Sequence, residues 1–196
     1  SGAFAVTKLG VGQLTLGSTT AVTAAAASPT GALFLPTAAG AINVGQTVIG
    51  SGLAANTTAT AAVLVAPTVA TTAVQAALGT AIPYTGSTAG WYVGMPITGT
   101  NIPANSFVTA ITAGTGFTIN NATTTLVTAG TVLTGATGVA LSTASTGAIV
   151  TTAGAYTAAA TNTFTGGVNV NAGVLALGSA TGAGTGAIVL NGGSLD

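Results

Sequence analysis

The sequence predicts an all-β protein built from short strands, and three observations carry that prediction. Runs rich in Val, Thr, Leu and Ile are punctuated by Gly, Asn and Ser, the strand-and-turn pattern rather than the helical one. Side chains alternate within those runs. In "GGVNVNAGVLALGS", Val168 and Val170 share one face of an extended strand and Asn169 and Asn171 the other; in "GAIVLNGG", Ile188 and Leu190 oppose Ala187 and Val189. Charge is nearly absent, with one Lys or Arg, one Asp or Glu and no His in 196 residues.

Strands this short are not stable as isolated hairpins. They suit a parallel β-solenoid, in which each strand pairs with its equivalent one coil above and one below while aliphatic side chains stack inward. Val168 to Val189 spans about one coil of ~20 residues. Asn171 and Asn191 fall at corners. There they read as ordinary turn residues, a type that tolerates left-handed backbone and can hydrogen-bond across stacked turns.

Composition excludes most chemistry. General acid–base catalysis needs a side chain that titrates near the operating pH, and a hydrolytic nucleophile needs a base beside it. With Lys8 and Asp196 as the sole charges and no His or Cys, neither a carboxylate pair nor a Ser/His/Asp set can be assembled. Zinc and calcium sites fail by the same count, and none of the 30 glycines belongs to a GxxxxGK[ST] loop. The sequence therefore predicts no enzyme, no cofactor and no metal. Nucleic acid is excluded as a partner because one lysine cannot neutralise a phosphate backbone.

A mean hydropathy of +0.78 raises a membrane reading. The best candidate span, Ala61 to Leu78, holds Pro67, Thr68, Thr71 and Thr72 and has no flanking basic residues, so no spanning membrane segment is expected. Disorder goes with low hydrophobicity and high net charge, the reverse of this chain, so it is expected to fold. No signal peptide is visible, and a start at Ser1 reads as a processed product or a piece of something longer.

A resemblance becomes specific at the two ends. "NTFTGGVNVNAGVLALGS" followed by "GTGAIVLNGGSLD" resembles the passenger-associated transport repeat of bacterial autotransporters, and "VTKLGVGQLTLGS" (Val6 to Ser18) resembles the segment ahead of NTxTGG in that repeat, with Lys8 at its basic position. The resemblance implies coils of a right-handed parallel β-helix on the outside of a Gram-negative cell. The expected location is accordingly extracellular or the cell surface of a bacterium.

Between the ends the composition shifts. All six prolines lie between Pro29 and Pro103, together with Trp91, Met95, Tyr84 and Tyr92. This stretch repeats itself: "VGQTVIGSGLAANTTATAA" (Val44 to Ala62) aligns with "VGMPITGTNIPANSFVTAI" (Val93 to Ile111) at an offset of 49 residues, with seven identities. The second copy also resembles a short β-rich module of bacterial surface and phage tail proteins. Three regions are expected: 1–20, an N-terminal solenoid strand segment; 21–140, an inserted β-rich region; and 141–196, C-terminal solenoid coils. The insert reads either as wide coils of the same solenoid or as a separate lobe such as a β-sandwich, and its prolines favour a lobe. Ala24 to Ala27 and Thr72 to Leu78 are each read as a candidate helical turn.

Tyr84, Trp91 and Tyr92 form the one aromatic cluster, a candidate surface contact for a sugar or partner; a core anchor is the favoured reading of Trp91. Threonines lack the fixed period of an ice-binding ladder, and β propensity accounts for them. Asn56 and Asn121 match the N-glycosylation pattern at a frequency a Thr-rich chain gives by chance. Lys8 reads as a solvated surface charge and Asp196 as a turn residue.

Near-zero charge removes the repulsion that keeps soluble monomers apart, and solenoid ends expose unpaired main-chain groups. The sequence opens within one half of a repeat motif and closes on the other half. The expected function is a structural subunit or segment of an extracellular fibre, its partner another copy of itself or an adjacent repeat. The candidate assembly strand contains Phe4, Val6, Leu14 and Leu16. The alternative is an adhesin-type binding module for a surface ligand such as carbohydrate, a host surface or ice.

Overall fold

A computed structural model of the chain describes residues 5–17, 19–159, 165–178 and 182–196. Among these residues every regular element is a β-strand, and no helix is long and apolar enough to cross a membrane. The chain forms two compact units: Ser1–Ala21, Gly45–Thr47 and Thr157–Asp196 make the first, and Val22–Val44 with Val48–Tyr156 make the second.

Among the described residues, two three-stranded sheets lie wholly in the first unit, and both pair in parallel throughout. One runs in the order Val6–Lys8, Val168–Val170, Ile188–Leu190, and the other in the order Gln13–Leu16, Val174–Leu177, Ser194–Leu195. Each sheet takes one strand from each of three layers, and each layer is a strand, a corner and a second strand. The alternation read from the sequence sets the register. Val6, Val168 and Ile188 lie in one column, and Leu14, Leu175 and Leu195 in another. Val168, Val170 and Leu175 of the middle layer are fully buried, with Val6, Leu14, Leu16, Leu177 and Ile188 packed against them. Burying an aliphatic side chain of this size contributes about 1.5–3 kcal/mol.

The second unit is antiparallel and is built twice from one plan, the second copy inside the first. In the inner copy, Gly116–Ile119 is flanked by Ala81–Pro83 and Val108–Thr112, pairing Gly116 with Pro83 and Phe117 with Ile82. In the outer copy, Gly138–Leu141 is flanked by Phe34–Pro36 and Ala59–Val63, pairing Gly138 with Pro36 and Val139 with Leu35. The smaller bonds repeat as well. Thr57 Oγ1 donates to Ala54 O at 2.8 Å and Ser106 Oγ to Pro103 O at 2.7 Å, each beside a left-handed asparagine, Asn56 and Asn105. In the inner copy a short turn joins Val108–Thr112 to Gly116–Ile119, whereas in the outer copy the equivalent hairpin is opened after Val63 and the inner copy fills the gap up to Gly138.

Strand Thr68–Ala70 pairs with Val132–Gly135, which also takes Ile97–Gly99, so the inner copy closes a second sheet of its own. The unit's core gathers Phe34, Val63, Val69, Ile82, Trp91, Met95, Phe117 and Leu133 from both copies.

Several expectations change. The insert is not a set of further parallel coils, because the strand pairs of the second unit that are described here are antiparallel. The expected boundary at residue 140 falls inside Gly138–Leu141, a strand held by Phe34–Pro36 and Ala59–Val63, and this unit runs on to Tyr156. Neither Ala24–Ala27 nor Thr72–Leu78 is a helical turn. The chain there is drawn out by the antiparallel bridges Ser28 to Ile149 and Gln75 to Val127.

Those bridges lead into a strained residue. Gly31 N donates to Ser145 O and Leu78 N to Thr123 O, both at 2.8 Å, so Leu78 occupies the position that Gly31 takes in the outer copy. Gly31 has φ +86° and Leu78 φ +62°. A left-handed conformation costs a branched side chain roughly 1–2 kcal/mol, and Leu78, 77% exposed, recovers little by burial. Leu78→Gly is expected to raise unfolding stability by up to about 1 kcal/mol, after the added freedom of glycine in the unfolded chain is subtracted. Urea unfolding of the two proteins checks this; equal or lower stability in the variant contradicts it.

Candidate functional site

Among the described residues no group of three His, Cys, Asp or Glu side chains comes together. Two open clefts of about 380 and 460 Å³ lie in the second unit, and neither is lined by an ionisable side chain. The feature with the most to offer a partner is the pair of outer strand edges of the first unit.

Among the described residues, Val6–Lys8 and Gln13–Leu16 form one outer edge of the two sheets, and Ile188–Leu190 and Ser194–Leu195 form the other. The middle layer supplies the reference state. Val170 and Leu175 are fully buried there, whereas Leu190 and Leu195, the next members of the same columns, are each 48% exposed. Of the expected assembly strand, Phe4 lies outside the described residues. Val6, Leu14 and Leu16 are half-buried and already paired within the chain, to Val168, Leu175 and Leu177.

The corners make the stacking close. Gly173 has φ +78°, and a Cβ there would stand 2.4 Å from Gly12 O and 2.6 Å from Gly10 O. Below it Asn191 Nδ2 donates to Asn171 Oδ1 at 2.9 Å, a side-chain bond between equivalent corners. These two asparagines thus act as a ladder. Neither has the left-handed backbone that asparagine tolerates. The first layer departs from this pattern: its corner, residues 9–12, is one residue longer, and Leu9 follows Lys8 where Asn171 follows Val170.

Lys8 is not a solvated surface charge. It stands in the column of Val170 and Leu190, is 9% exposed, and its ammonium donates to Leu9 O at 3.1 Å and Gly10 O at 2.5 Å. An inward-facing lysine at the rim of a sheet can bury its stem while corner carbonyls hold its charge. Sequence reasoning missed the role of Leu190 and Leu195, although the alternation of Ile188 and Leu190 was visible, because exposure depends on which layer is outermost.

The aromatic cluster is a packing element and not a surface patch. Trp91 is 4% exposed and lies 4.7 Å, centroid to centroid, from Phe117. Tyr84 stacks on the same Phe117 at 5.7 Å and donates its hydroxyl to Ser87 O, while Tyr92 stacks on Phe34 at 5.8 Å. In a chain this poor in large side chains the rings fill the core shared by the two copies, which is why they do not gather outside.

Tyr156 is fully buried, and its hydroxyl accepts from Val150 N at 2.8 Å. Burial raises its phenol above the ordinary value near 10, with the Val150 amide opposing the shift. No protein-family model matches the chain, and no curated protein or solved structure matches it.

Two outcomes follow from these contacts. Gly173→Ala forces a Cβ against two carbonyls and places alanine in left-handed backbone, so it is expected to cost about 1–3 kcal/mol and to loosen residues 6–16. Limited proteolysis checks this, and cleavage in that segment no faster than in the parent chain contradicts it. Because the folded protein favours neutral Tyr156, its contribution is fully present below the unfolded pKa near 10. It is lost as pH rises through the elevated folded value. Thermal melting is expected to drop in strongly alkaline solution, and Tyr156→Phe to lessen the drop; an undiminished drop in the variant assigns it elsewhere.

Proposed function

We propose that the chain is a structural subunit or segment of an extracellular bacterial surface fibre, assembled by stacking of β-strands. In this reading the three layers of the first unit are coils of a right-handed parallel β-helix of the autotransporter passenger kind. The second unit is inserted in the sequence between the first and second coils.

The observation that carries the reading is the parallel register of three layers, Val6 on Val168 on Ile188 and Leu14 on Leu175 on Leu195, with strand edges on both sides of the stack. Such stacks pass load from layer to layer through main-chain hydrogen bonds and exclude water through aliphatic columns. The poverty in charge suits the role, since little is screened by salt or titrated near neutral pH. The adhesin alternative loses its aromatic patch, because Trp91 is packed against Phe117.

Electron microscopy of the purified chain at physiological salt tests the reading. Long filaments with an axial repeat near one subunit are expected, unchanged between about pH 5 and pH 9, because the contacts between layers are main-chain hydrogen bonds and aliphatic columns. A monodisperse monomer at high concentration, or filaments that dissolve within the window, contradicts it.

A further inference from the structure

We propose that the edge formed by Ile188–Leu190 and Ser194–Leu195 receives the Val6–Lys8 and Gln13–Leu16 edge of a second copy of this chain, in parallel and in the register already used between layers. The inference rests on the fibre reading and adds to it the partner surface, its polarity and its residue pairing.

The main-chain bonds define which groups are available. Val6 N donates to Gly167 O at 3.0 Å and Asn171 N to Lys8 O at 3.0 Å, so residues 6 and 8 turn their main-chain groups toward the middle layer. One layer further, Val168 N donates to Ala187 O and Asn191 N to Val170 O, both at 2.8 Å. Main-chain groups alternate in direction along a parallel strand. In the sheet of Val6–Lys8, Val168–Val170 and Ile188–Leu190, even-numbered residues therefore face the following layer and odd-numbered residues the preceding one. On the outermost layers this leaves Ile188 and Leu190 directed away from the stack on one side and Thr7 on the other. The two sets are complementary without any change of phase: Ile188 and Leu190 meet Thr7 of the second copy as Val168 and Val170 meet Val189 within one chain.

The side-chain columns continue in the same register. Ile188 would cover Val6 of the second copy, Leu190 the stem of its Lys8, and Leu195 its Leu14. Half-exposed Leu190 and Leu195 would then reach the condition of fully buried Val170 and Leu175. The Lys8 ammonium is held by the Leu9 and Gly10 carbonyls, so its charge is already satisfied before the joint forms. Within its own chain the segment already lies parallel on a layer of the same type through its other edge, so it has the extended form and register that the joint requires. Because the two edges differ, the contact is heterologous, and layers stacked in one direction at one strand spacing per step do not return on themselves, which yields an open filament.

A chain without cysteine permits a direct test of the pairing. Thr7 and Val189 both have exposed side chains, and both sit in the column of Asn169, on opposite sides of it. Within one molecule they are two strand spacings apart, about 9–10 Å, beyond the ~7 Å limit for a disulfide. At the proposed joint they are neighbours at about one spacing. The variant carrying both Thr7→Cys and Val189→Cys is oxidised after assembly and run without reductant, beside a control carrying Thr7→Cys and Ser194→Cys.

The expected result is a ladder of covalent multimers from the first variant and none beyond dimers from the control. Filaments without the ladder, or equal ladders from both variants, overturn this pairing and leave the fibre reading standing. A ladder without filaments supports the joint and contradicts the fibre reading. Neither filaments nor ladder overturns both.

Discussion

Main-chain hydrogen bonds between short strands hold both units; a chain with one lysine and one aspartate has almost no ion pairs to add, and side-chain bonds such as Thr57 to Ala54 and Asn191 to Asn171 serve its turns and corners. Each bond contributes only about 0.5–1.5 kcal/mol net, so strands this short persist only where several ladders share a core. In the first unit the sharing is between layers, whose columns of Val, Ile and Leu are continuous. In the second unit it is between two copies of one plan, which pool Phe34, Trp91, Met95 and Phe117.

That dependence explains how one copy can sit inside the other. A hairpin transmits its register through strand pairing and not through its turn, so opening the turn after Val63 leaves the pairing of Val63 with Gly138 intact. The inner copy retains the closed form, with Thr112 paired to Gly116 across a short turn. Insertion at a surface turn is the position at which a fold tolerates added chain best. The added copy also contributes packing: Tyr92 of the inner copy stacks on Phe34 of the outer one.

Strand character, the stacked ends and half of the duplication were legible in the sequence. The alternation of Val168 with Val170 and of Leu175 with Leu177 predicts which side chains share a face; it does not set the direction of pairing, which is parallel. The repeat of Val44–Ala62 in Val93–Ile111 was visible because its turns need the same residues, as at Asn56 and Asn105. Its closing strands were not. "GFTI" at Gly116 and "GVAL" at Gly138 share little beyond glycine, since burial in different surroundings permits different side chains on one register. Lys8 was misread for a related reason: charge suggests solvent, and only the corner carbonyls of Leu9 and Gly10 make an inward ammonium acceptable. The site itself is a difference in exposure between equivalent leucines, which no single residue type announces.

The proposed fibre and the complementary strand edges reduce to one claim, that main-chain groups on the outer layers of the first unit become paired when copies meet. Amide hydrogen exchange resolved at residues 5–9 and 187–196, compared between dispersed and assembled protein, tests it most directly. The account predicts that Thr7, Ile188 and Leu190 exchange readily in dispersed protein and become as protected on assembly as the amides of Val168–Val170. Assembly that leaves those three amides in fast exchange contradicts the account.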